Sequence, residues 1–184
     1  TAEYLGLLAQ TITRHTKTLG RFKQTVTESS FDAWTKYYKQ DENTPNSVVS
    51  YYVKGALIAL CIDLTLRQYS KDLVSLDTVM RILWQEYGKT ARGVTNTTIQ
   101  EICGRLIAQD LTSFWDLCLY STQELPFVEL LQQQGVTVEY KYEGLQNAQT
   151  ASLGVRGQYQ EAGFVLQNVW TGGAAEAAGL SAGD

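Results

Sequence analysis

Apolar residues recur at helical spacing from the start of the chain. Leu5, Leu8, Ile12 and, more loosely, Leu19 predict a helix over 3–19 that Gly20 ends. From Arg21 to Asn46 the pattern is irregular: FDAWTKYY reads as a short aromatic helix, and QDENTPNS as a loop in which Pro45 and the Asn/Asp residues favour turns. The stretch SVVSYYVKGALIALCIDLTLRQYS, Ser47 to Ser70, then predicts one long helix. Ser75 opens another, with Val79, Ile82, Leu83 and Tyr87 leading to Gly88 as its stop. Thr95 or Thr97 can cap a helix with Ile99, Ile102, Cys103, Leu106 and Ile107 on one face. Two shorter helices follow, TSFWDLCLY from near Asp110 or Thr112 and PFVELLQQQ with Pro126 at its first turn and Gly135 beyond its end. This is the pattern of an antiparallel array of helical hairpins.

At Gly135 the period changes from helical to alternating. Val136, Val138, Tyr140 and Tyr142 fall on one side and Thr137, Glu139 and Lys141 on the other, which predicts a strand. EGLQNAQTAS reads as a linker, SLGVRGQY and GFVLQNV as two more strands, and GAAEAAGL as a short helix. The fold class expected is therefore mainly α, a helical array over 1–135, a strand and linker over 136–151, and a small β-rich module over 152–184, with the boundary between about Gly135 and Ser152.

Composition narrows the function classes. With 184 residues, 44% hydrophobic and 18% charged, the chain can bury a real core, which argues against disorder. A net charge of -4 with both signs interspersed gives no basic stripe for nucleic acid and no basic amphipathic helix for a membrane surface. Lys54, Asp63 and Arg67 interrupt the apolar runs before the roughly 20 residues a spanning helix needs, so no transmembrane segment is expected. Cys61, Cys103 and Cys118 lie far apart in apolar patterns and read as buried free thiols, which lean towards a cytoplasmic compartment. His15 is the sole histidine. A catalytic zinc site normally takes two or three imidazoles, so this chain is not expected to assemble one by itself. Both ends read as cut from something longer.

Two stretches carry candidate chemistry. On the long helix Tyr52, Gly55, Ala56, Ala59 and Asp63 share one side, so a hydroxyl-bearing ring adjoins a strip of small side chains. Such a strip suits a packed helix or the lip of a cleft. Asp63 and Arg67 have the spacing of an ion pair that decorates the helix. The closing stretch, SLGV followed by GFVLQNVWTGGAAEAAGLSAGD, resembles the first half of a PDZ domain. That resemblance implies a loop of backbone N–H groups at Leu153, Gly154 and Val155 receiving a peptide's terminal carboxylate, beside a strand edge that pairs with the peptide. The far wall of such a groove is missing, so exposed strand edges imply pairing of two copies as a homodimer.

The order of the blocks says more. SSFDAWTKYYKQDENTPNSVVSYYVKGALIALCIDLTLRQYS, SLDTVMRILWQEYG, DLTSFWDLCLYSTQELPFVELL and the partial PDZ together resemble the C-terminal part of the glycyl aminopeptidase family of zinc metallopeptidases, akin to thermolysin and aminopeptidase N. The resemblance runs from about Phe31 to Asp184. It implies that Tyr52, in Tyr52-Val53-Lys54-Gly55-Ala56, donates its hydroxyl to the tetrahedral intermediate, with the neighbouring Tyr51 as rival. Val53 departs from the acidic residue of aminopeptidase N relatives. It also implies that the parent holds zinc through a His-Glu-x-x-His motif upstream of Thr1 and removes N-terminal residues from peptides, while this fragment binds no catalytic zinc and is inactive. The alternative is a non-enzymatic peptide-binding scaffold in which the helices only position the PDZ module.

Overall fold

The computed structural model describes residues 2–141, 152–161 and 163–184. It is mostly helical with one two-stranded antiparallel sheet, as the hydrophobic pattern predicts. The chain divides into two compact units, residues 1–54 with 139–184, and residues 55–138.

In the first unit, α1 (Ala2–Thr16) buries Ile12 and His15. It stops short of Gly20, which serves a different contact. A Cβ there would collide with the backbone of Val48, so the two segments approach as only glycine permits. α2 (Val26–Phe31) starts with a capping box, Thr25 and Glu28 each bonding the other's backbone N–H. A π-helical turn, Ala33–Tyr37, and the short α3 (Thr44–Ser47), with Pro45 in its first turn, follow.

The long helix begins later than the hydrophobic run suggests. α4 spans Tyr51–Ser70, because the residues before it are held extended. The Val49 N–H donates to Gln24 Oε1 at 3.1 Å, and the Val49 carbonyl accepts from Ser29 Oγ at 2.5 Å. With both backbone groups engaged by buried side chains, Val49 cannot join the helical ladder. These partners are remote in sequence, so periodicity does not reveal them.

The β module belongs to the same unit. β1 (Val155–Gln160) pairs with β2 (Gly163–Val169), from Val155 opposite Val169 to Gln160 opposite Gly163, with an irregularity at Arg156/Gly157. The Leu166 N–H donates to the Asp184 carbonyl at 2.9 Å and Gly183 N–H donates to the Leu166 carbonyl at 2.8 Å, so the chain's last residues run beside β2. The expected strand at 136–141 does not form, and Tyr142 lies outside the described residues. Alternation alone does not make a strand: among the described residues only β1 and β2 are paired.

The buried Asn46 joins helices to sheet. Its Nδ2 donates to the Val169 carbonyl at 2.8 Å and to Asn43 Oδ1 at 3.0 Å, and its Oδ1 accepts the Thr171 N–H at 3.0 Å. Asn168 Nδ2 adds a bond to the Glu42 carbonyl at 2.9 Å.

The second unit holds most of α4, then α5 (Leu76–Leu83), a π-helical turn at Trp84–Gly88, α6 (Thr98–Ile107), α7 (Thr112–Tyr120) and α8 (Phe127–Gln133). Leu57, Ile58, Cys61, Ile62 and Leu66 of α4 are buried, as are Val79, Ile102, Cys103, Trp115, Cys118, Phe127 and Leu131. By length and composition the Thr44–Ser70 stretch is apolar enough to cross a membrane, contrary to the sequence expectation, and these buried positions account for that apolarity. The three cysteines are buried and form no disulfide, and burial pushes the Cys103 thiol up to about 11 and Cys61 higher still. Asp63 does more than decorate the helix: besides pairing with Arg67 at 2.7 Å, it accepts the N–H of Leu76, the first residue of α5, at 2.8 Å.

Gln24→Ala leaves the buried Val49 N–H without its acceptor. Urea unfolding should show a loss of about 1–3 kcal/mol. An unchanged midpoint would mean that Val49 is not pinned in this way.

Candidate functional site

Five aromatic residues gather where α4 begins. The π-helical turn closes with Tyr38 N–H donating to the Ala33 carbonyl at 2.9 Å, and it delivers Trp34, Tyr37 and Tyr38 side by side. The first turn of α4 supplies Tyr51 and Tyr52, whose ring centroids lie 4.2 Å apart. Tyr37 stands edge-on to Tyr38 at 5.3 Å and to Tyr51 at 5.2 Å, and Trp34 packs on Tyr38 at 5.1 Å. These distances suit attractive aromatic pairs.

The hydroxyls are connected as well. Tyr38 Oη lies 2.8 Å from Tyr52 Oη and 3.2 Å from Tyr51 Oη, and Tyr37 Oη is 3.1 Å from Ser50 Oγ. Tyr52 nevertheless remains 57% exposed. Its hydroxyl is held below the usual phenol range because the Tyr38 hydroxyl and then that of Tyr51 stabilise its phenolate by hydrogen bonding. Tyr51 is shifted the opposite way by its bonds to Tyr38 and Tyr52.

Helical rotation separates the parts of Tyr52-Val53-Lys54-Gly55-Ala56. At 100° per residue Tyr52 and Lys54 stand on opposite sides, and indeed Lys54 is fully buried while Tyr52 and Ala56 are exposed. Gly55, Ala59 and Asp63 are half-buried. The side bearing Tyr52 is thus exposed at Tyr52 and Ala56 and partly covered at the other three. The aromatic helix is visible in FDAWTKYY, but nothing in the spacing signals that Tyr38 meets Tyr52.

Leu153, Gly154 and Val155 form a second feature. Leu153 is 65% exposed, and Val155 begins β1. Gly154 has φ +70°, and a Cβ on it would lie 2.9 Å from Gly173 Cα. The Leu153 carbonyl accepts the Ala175 N–H at 2.9 Å, and the Gly154 carbonyl accepts the Trp170 N–H at 2.8 Å. These bonds seat the loop on the start of α9 (Ala174–Ala177). Among the described residues β1 has a strand on one edge only. This loop is bonded to Ser152, Trp170 and Ala175, whereas the tyrosine hydroxyls bond one another and Ser50.

No three of His, Cys, Asp and Glu gather among the described residues as a metal ion needs. His15 is buried in α1. The described side chains therefore do not fit a zinc site.

Similarity to known proteins bears on this geometry. The model of the M61 glycyl aminopeptidase family matches residues 1–58, the part that carries the whole tyrosine cluster. No curated protein matches the chain. The crystal structure of an aminopeptidase N family protein from Idiomarina loihiensis is similar to it with a TM-score of 0.88 and 40% identity, covering 98% of this chain and 32% of that one. The chain thus spans about a third of that protein's length.

Gly154→Ala combines a left-handed backbone, costing an L-residue roughly 1–2 kcal/mol, with a close approach to Gly173. The substitution should speed amide exchange along β1 and β2 and lower stability by at least that amount. Exchange rates equal to those of the unsubstituted chain would mean that the loop is not seated as described.

Proposed function

We propose that this chain is the C-terminal part of a zinc-dependent glycyl-aminopeptidase-type enzyme that removes N-terminal residues from peptides, and that Tyr52 is its catalytic residue within this chain. The observation that carries the reading is the open Tyr52 hydroxyl, fixed by Tyr38 at 2.8 Å, at the head of a helix whose Lys54 is buried on the opposite side. The M61 match over the same residues supports it.

Attack on a peptide carbonyl places negative charge on its oxygen. A donor already aimed at that oxygen stabilises the transition state more than the substrate, typically by about 3 kcal/mol. A phenol suits this role because it is neutral near pH 7 and still carries its proton. In the parent, zinc would supply the activated water; its ligands lie outside the described residues, and the chain alone is expected to bind no catalytic zinc and to hydrolyse nothing. Leu153, Gly154 and Val155, with the open edge of β1, are proposed to take the C-terminal end of a peptide by strand addition. A non-enzymatic peptide-binding scaffold would use that same loop, and only the exposed Leu153 and open strand edge favour it.

In the full-length protein, Tyr52→Phe should lower kcat by roughly a hundredfold or more, with zinc content and KM little changed. Turnover equal to wild type would reduce Tyr52 to a packing residue and favour the scaffold.

A further inference from the structure

Three phenols meeting through their hydroxyls have a proton problem, since each carries one proton and a proton given to a neighbour is not available elsewhere. Tyr38 Oη lies between the other two, nearer to Tyr52 than to Tyr51. If Tyr52 donated to Tyr38, its proton would be spent inside the cluster. Only the order Tyr51 to Tyr38 to Tyr52 leaves the unspent proton on the most exposed of the three rings.

We propose that Tyr38 is a positioning residue for the peptidase reaction: its hydroxyl donates to Tyr52 Oη, accepts from Tyr51, and so turns the Tyr52 proton outward to the substrate. The inference rests on the reading of Tyr52 as the oxyanion donor. It also resolves the rivalry between the paired tyrosines, because Tyr51 heads the relay and Tyr52 ends it.

The acidities run the same way. Tyr51 has its pKa raised by its bonds to Tyr38 and then Tyr52, as befits a donor, and Tyr52 has its pKa lowered by Tyr38 first and by Tyr51 second, as befits an acceptor. For Tyr38 the bond with Tyr51 lowers and the bond with Tyr52 raises, with a net rise. The titratable groups facing Tyr52 are Tyr38, Tyr51 and, through its ring at 6.0 Å, Tyr37. Hydrogen bonds in series polarise one another, so a Tyr52 that accepts is also a stronger donor. The rings pack edge-on and tilted without help from the hydroxyls, which makes Tyr38→Phe a clean removal of the relay's middle oxygen.

The test uses the zinc-loaded full-length protein. Tyr38→Phe should lower kcat roughly three- to tenfold with KM unchanged. It should also move the alkaline limb of the pH profile upward, because Tyr52 acts protonated and loses the donor that holds its pKa down. In a Tyr52→Phe background the same change should have no further effect. An unaltered kcat and alkaline limb in Tyr38→Phe would overturn the relay, as would an equal loss in both backgrounds. If Tyr52→Phe alone turns over normally, it is the underlying reading that fails. Should Tyr38→Phe lose its zinc or its melting transition, 3-fluorotyrosine at position 38 decides: a more acidic and so stronger donor of the same shape should move the alkaline limb downward, and an unmoved limb overturns the relay.

Discussion

The constraint on which the candidate site depends is the pinning of one residue just before α4. Val49 has its N–H bonded by Gln24 and its carbonyl by Ser29, beside the tight contact of Gly20 with Val48. Helix α4 cannot begin until these groups are passed, so its first turn carries Tyr51 and Tyr52. A start displaced by one residue would turn every side chain by about 100°. Lys54 would leave its buried position and Tyr52 its open one. Three small interactions outside the tyrosine cluster therefore set the direction in which the Tyr52 hydroxyl points.

A second clamp works on the same short segment from the other side. Asn46 uses both amide hydrogens and its oxygen, binding Asn43, Val169 and Thr171. A buried carboxamide satisfied in this way is costly to disturb, since losing one partner leaves the others desolvated. Asn46 lies two residues before Val48 and five before Tyr51. The end of β2, the strand paired with the one that follows the Leu153–Val155 loop, and the residues that start α4 are consequently fixed through one backbone stretch, residues 42–51. Peptide recognition in the β module and hydroxyl placement in the tyrosine cluster would share that support.

What periodicity records is local, and it serves well for locally decided features. Val79, Ile102 and Cys103 fall in the buried faces that their spacing implies, and the all-helical class with a terminal β module follows from the change at Gly135. The features that differ are decided by distant partners. Glycine often ends a helix, but the contact that Gly20 serves is with Val48. Spacing presents Asp63 as a surface ion, but its second oxygen caps α5. The alternation at 136–141 describes side chains and is silent about whether a neighbouring strand exists. At the site, Tyr52 stands out through its neighbours Lys54 and Gly55, whereas Tyr38 lies 14 residues away on an element of different periodicity. Bond directions among hydroxyls leave no trace in spacing.

For the proposed oxyanion donor, a cluster of phenols rather than a charged partner is a physically sensible support. A lysine or arginine beside Tyr52 would also lower its pKa, but far enough to favour the phenolate and remove the proton the reaction needs. A carboxylate would accept that proton and turn the donor inward. Another phenol does neither: it fixes the oxygen at hydrogen-bond distance, adds no net charge, and lowers the pKa of Tyr52 through a neutral hydrogen bond. In the proposed relay the third phenol, Tyr51, 3.2 Å behind Tyr38, gives the middle hydroxyl a donor of its own, so that Tyr38 does not compete for the Tyr52 proton. Lys36, which lies between Trp34 and Tyr37 in sequence, is paired with Asp32 at 2.6 Å, and the cluster's hydroxyls bond one another and Ser50.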